Sequence, residues 1–167
     1  MDCCAGSPRP SPRAAGGERV AAVGILYDDA GRVLPPALGV LTEAEHYRLL
    51  AVAGDQEFPW YLWNPAEWSL FDTPELSLQD DPELLGVMDE LALEWELGGS
   101  HEPGRRALVA VTRELNEREW PLTTSEHFVV FASDLELTET TKYVRAAVPR
   151  DRLRALERRG RLLPEDG

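Results

Sequence analysis

The side chains best equipped for chemistry are gathered in residues 58–71, which read FPWYLWNPAEWSLF and hold three of the five tryptophans. Carboxylates beside aromatic platforms are what a glycoside-cleaving site requires, one as general acid and the other as base or nucleophile. Trp60, Tyr61, Trp63, Glu67 and Trp68 form that candidate ligand or partner surface, with Asp72 as the nearby second carboxylate. The same residues also have local structural uses. Asn64 can cap a short helix, Pro65 suits its first position, and Glu67 sits where a capping carboxylate sits. Trp63 and Trp68 then stand at the spacing of a hydrophobic staple, which leaves Trp60 and Tyr61 as the rings free for a ligand.

A second candidate is acidic. Asp80, Asp81, Asp89, Glu90 and Glu94 lie on or beside a helix predicted to start at Asp81-Pro82 and to stop at Gly98-Gly99, and no Lys or Arg occurs between Asp80 and Glu96. Part of this charge suits the positive end of the helix dipole. The remainder would steer a basic protein partner toward the helix.

Other chemistries find little support. His46, His101 and His127 are far apart, and the single Glu-x-x-His pair, Glu43 and His46, lacks the second copy a di-metal bundle needs. Cys3 and Cys4 are adjacent and have no distant partner, so neither a disulfide framework nor a cysteine zinc site is expected. Nucleophile-elbow, Walker and dinucleotide glycine patterns are absent. No catalytic residue, metal ligand or cofactor is therefore assigned.

Charge divides the chain unevenly. Residues 43–143 carry 22 carboxylates against six basic side chains, whereas residues 144–167 carry seven arginines against four carboxylates. With a net charge of −13, nucleic acid and anionic membranes are not expected partners. No apolar run approaches the ~20 residues of a membrane span. The first residues lack the apolar centre of a secretory signal, and the expected location is the cytoplasm.

These residues need a scaffold. Residues 1–17 are rich in Pro and Gly and read as a disordered tail, residues 18–160 as one globular domain, and residues 161–167 as a C-terminal tail. Residues 20–27 (VAAVGILY) predict a buried strand, and residues 33–41, interrupted by Pro35 and Pro36, predict an edge or bent strand. Thr42 and Glu45 form a capping box for a helix that Gly54 should end, with Tyr47, Leu50 and Ala51 inward and a polar loop at Asp55, Gln56 and Glu57. Leu84, Leu85, Met88, Leu91, Ala92 and Trp95 recur as the inner face of the acidic helix, and Leu108, Val111, Thr112 and Leu115 as that of a helix after Pro103. Residues 127–132 (HFVVFA) predict a second buried strand, followed by a short helix from Thr138 and a basic segment from Pro149 to Gly160. Strands at both ends with helices between them indicate an α+β fold, loosely α/β, with one small sheet and helices packed on it.

The early strand, the helix after Thr42, the element Trp63-Asn64-Pro65-Ala66-Glu67-Trp68 and a late strand ending in Ser133-Asp134 together resemble the bacterial domain-of-unknown-function family numbered 4303. The resemblance covers roughly residues 18–145, and its most specific part is the W-x-P-x-E-W element. Members carry a helix before the first strand, where this chain has its Pro/Gly tail. The resemblance implies no catalytic residues, since the family has no established activity. Some members are associated with immunity to polymorphic toxins, which implies a binding role. The resulting expectation is a non-enzymatic, immunity-type protein whose acidic surface docks a basic toxin. The alternative is a small-ligand-binding protein or hydrolase with a Trp-lined acidic cleft.

Overall fold

Two glycines decide where the aromatic element can sit. Gly24 on strand β1 (Val20–Tyr27) is paired with Gly39 on β2 (Ala37–Thr42) in an antiparallel register. A Cβ at Gly24 would come within 2.3 Å of the Pro65 ring, and one at Gly39 within 3.0 Å of it. The bare backbone of these two strands is the seat of residues 65–68, so side chains there would push the element off the sheet.

The structure, a computed structural model, describes residues 17–28 and 30–163. Residues 1–16 of the expected tail over residues 1–17, Cys3 and Cys4 included, lie outside the described residues, as do residues 164–167. Strands β3 (Leu70–Phe71) and β4 (Thr124–Asp134) complete a mixed sheet of order β3-β2-β1-β4. Strand β4 runs parallel to β1, and β2 and β3 run antiparallel to their neighbours. Among the described residues, five helices accompany the sheet: α1 (Glu43–Leu62), α2 (Pro82–Leu97), α3 (Glu102–Glu117), α4 (Thr140–Ala147) and α5 (Arg150–Arg158). The fold is α+β. Among the described residues, no helix is long and apolar enough to cross a membrane.

Strand β1 and residues 128–132 of β4 read as continuous apolar runs because both faces there are covered. Val129 and Phe131 point to a layer made by Leu49, Phe58, Leu62, Trp63, Trp68, Val144, Val148 and Leu156. Phe128, Val130 and Ala132 point the other way, toward Leu108 and Leu115 of α3 and Tyr143 of α4. The outer edge of β4 is closed by side chains. Asn116 donates through Nδ2 to the Val130 carbonyl at 2.7 Å and accepts from the Val130 amide at 2.9 Å, so its amide substitutes for a neighbouring strand. Arg152 donates to the Phe128 carbonyl at 3.0 Å.

Several expectations need correcting. Gly54 does interrupt α1, with φ 69° and ψ 173°, but the chain re-enters a helix at once, and Asp55, Gln56 and Glu57 become its first turn rather than a loop. Pro59 lies past that first turn, at the fifth residue of the second segment, where it supplies no amide hydrogen to the Asp55 carbonyl. In the first segment of α1 the buried positions are Glu45 and Leu49, with Leu50 partly buried against the same core as expected, while Tyr47 and Ala51 are exposed. Thr42 caps the amide of Glu45 at 3.2 Å as expected. The Glu45 carboxylate instead turns inward, accepting from the Ser69 amide at 2.9 Å and the Ser69 hydroxyl at 2.6 Å. On α3 the inward positions are Gly104, Leu108, Thr112 and Asn116, and Val111 is exposed. The domain also runs past residue 160, because Leu163 is in the core and the Arg161 carbonyl accepts a hydrogen bond from Trp63 Nε1.

Candidate functional site

Trp63 and Trp68 are 1% and 4% exposed, and both rings pack edge-on against Phe131 at centroid distances of 4.8 Å and 5.9 Å. Each indole finds a backbone acceptor, Arg161 for Trp63 and Tyr61 at 2.9 Å for Trp68. Large amphipathic rings bury well when the N–H is satisfied, and here it is. Asn64 caps a 3-10 turn at Pro65–Glu67 by accepting from the Ala66 amide at 3.2 Å. The element therefore presents no pair of open indole platforms. Trp60 is 48% exposed, Tyr61 is half-buried and Glu67 is exposed.

The acidic helix is arranged differently from its expected pattern. Only Ala92 of α2 is buried, with Met88 and Trp95 packed against the core and the Trp95 ring lying over Gly104. Leu84 and Leu91, expected inward, are exposed, as are Val87, Leu93 and Leu97. Five of the twelve exposed large apolar side chains among the described residues thus sit on this one helix. At about 100° per residue, Leu84, Val87 and Leu91 form one stripe, bordered on its open side by Glu83, Glu90 and Glu94. Asp89 and Glu96 fall on the opposite flank, where Arg32 reaches them at 3.5 Å and 3.0 Å. Asp81 caps the helix by accepting from the Leu84 amide at 3.0 Å. The side chain of Asp80 lies outside what is described. The other four predicted acidic positions divide by use: a cap at Asp81, an ion pair at Asp89, and an exposed flank at Glu90 and Glu94.

A concavity elsewhere has the opposite charge. A recess of about 430 Å³ opens between α1, the start of β4 and α5. Helix α1 contributes His46, Tyr47 and Leu50, and β4 contributes Glu126 and His127. Arg152, Ala155, Leu156 and Arg159 line it at helical spacing, and Arg161 follows from the turn after α5. None of the five aromatic-element candidates takes part. Glu126 Oε1 lies 2.6 Å from His127 Nε2 and 3.6 Å from Arg159, and Arg159 also touches the His127 ring. Arg161 is held over the Phe58 ring at 4.7 Å and paired with Asp55 at 3.1 Å.

No family model, curated protein or solved structure matches this chain. The site is accordingly argued from its own residues. His46 is pushed down to about 4, chiefly by burial and then by the nearby positive charge of Arg161, His127 and Arg159. Its Nδ1 is buried with no hydrogen-bond partner among the described residues. His127 is lowered as well, by burial first and by Arg159 next, with Glu126 opposing. Among the described residues, no group of three or more His, Cys, Asp or Glu side chains is placed to hold a metal ion. This recess went unnoticed in the linear reading. The cue available there was the seven arginines crowded into residues 144–167 of an acidic protein.

Proposed function

We propose that the protein is a cytoplasmic, non-enzymatic binding protein that docks a basic protein through α2. The observation that carries this reading is the apolar stripe Leu84-Val87-Leu91, left exposed beside Glu83, Glu90 and Glu94 on a helix with no cation of its own. Apolar area supplies affinity while bordering charge selects the partner and speeds encounter. The complementary surface is an apolar patch ringed by Lys and Arg. A basic toxin held by an immunity-type protein has that chemistry.

A photo-cross-linker placed at Val87 and, as control, at Arg106 on α3 tests this in the cell of origin. The expected result is one protein of net positive charge cross-linked from position 87 alone. Purified, it should lose affinity steeply with salt and bind the double variant Glu90→Lys, Glu94→Lys at least tenfold more weakly. Equal capture from both positions, no capture, or binding indifferent to the two reversals would sink the proposal.

A further inference from the structure

The recess between α1 and α5 is a separate surface from the α2 face and stands on different observations. Among the described residues, three arginines and two histidines line one cavity, with Glu126 as its one carboxylate, in a protein of net charge −13. The three arginines come from α5 and the turn after it, and the two histidines from α1 and β4, so their convergence on one cavity calls for a reason. Ion pairing within the fold accounts for only part of it. Asp55 meets Arg161 from outside the recess, and Glu126 is shared between His127 and Arg159 while its own side chain is 72% exposed.

We propose that this recess binds a small organic phosphate, its phosphoryl oxygens taken by Arg159, Arg161 and His127 and its organic body laid on Leu50, Ala155 and Tyr47. Guanidinium forks match phosphate oxygens in bidentate geometry, and they hold a dianion better than a single ammonium does. A volume of about 430 Å³ falls within the range of small-molecule sites, where apolar lining and a few placed polar groups divide the work. Glu126 then acts as a resident competitor. Its carboxylate reaches His127 and Arg159, the same groups an incoming phosphate would use, and its exposure lets it swing out to solvent.

Calorimetric titration of the full chain with phenyl phosphate tests this, with inorganic phosphate, phthalate and benzoate as comparators. Expected is saturable binding of phenyl phosphate, tighter than inorganic phosphate because the ring gains the apolar wall, and tighter than either carboxylate. Arg159→Ala should weaken it at least tenfold. Glu126→Gln should tighten it several-fold by removing the competitor, an effect that mere damage to the fold would not produce. Both substitutions fall on half-exposed or exposed side chains, and circular dichroism confirms that each variant is folded. The proposal is overturned if phenyl phosphate shows no saturable heat, if phthalate binds more tightly, or if Arg159→Ala and Glu126→Gln leave the affinity unchanged.

Discussion

Leu156 on α5 and Leu91 on α2 are the same side chain on two helices with opposite surroundings. Leu156 is 7% exposed and belongs to the layer containing Trp63 and Phe131, whereas Leu91 is 38% exposed. Helix α5 is drawn onto the sheet by fixed anchors. Arg152 binds the Phe128 carbonyl, Trp63 binds the carbonyl of Arg161, and Leu163 closes the core behind it. Helix α2 has fewer such ties: Ala92, the Trp95 contact with Gly104, and surface ion pairs to Arg32 that contribute little. A helix buries its apolar stripe only where another layer offers a surface to receive it. Within this chain α5 finds that surface and most of the α2 stripe does not.

The contrast can be broken by substitution. Leu156→Ala should cost about 2–5 kcal/mol, the range for emptying a packed core site, read as a drop in the urea midpoint with little change in slope. A loss below about 1 kcal/mol would mean that α5 is no better anchored than α2.

Next in size is the pH response of the α5 side. The His46 value in the folded protein is about 4, below the ordinary histidine value of 6.5. Between those two values the unfolded chain binds more protons than the folded one, so stability is full above about pH 6.5 and falls as the pH drops toward 4. After discounting for solvent screening, the loss attributable to His46 is roughly 2 kcal/mol. His127 is lowered too and acts in the same sense. In His46→Phe, the difference in unfolding free energy between pH 7.5 and pH 5 should shrink. An unchanged difference would place the acid sensitivity elsewhere.

The smallest effect belongs to α2. Val87, 51% exposed, should tolerate Val87→Ser within roughly 1 kcal/mol, while the same change weakens any partner seated on the stripe. A loss of several kcal/mol would show that the helix is packed by the fold itself and leave nothing for a partner to cover.

Local signals were readable wherever the controlling contacts are local. The caps at Thr42, Asn64 and Asp81 all form, because an N-cap is a bond between residues two or three apart. Strands β1 and β4 are legible from their unbroken apolar runs. Leu84 and Leu91 were misplaced inward since periodicity reports which residues share a face, not whether anything covers it. Glu45 was read as half of a capping box, and its true acceptor role depends on Ser69, which is 24 residues away. The two-residue strand β3 is too short to leave a pattern of its own.

By itself, then, the sequence determined the α+β class, the capped helix starts at Thr42, Asn64 and Asp81, and the separation of an acidic body from an arginine-rich end. Which faces would be covered, and what the arginines would meet, waited on the tertiary structure. His46, His127 and Arg159 lie on α1, β4 and the end of α5, and no spacing rule links them. They share one recess because β4 pairs in parallel with β1 in the sheet and α5 packs back onto β4 beside α1. That pairing is selected by the burial of both faces of β1 and β4, a sum over the whole core that no short stretch of sequence carries.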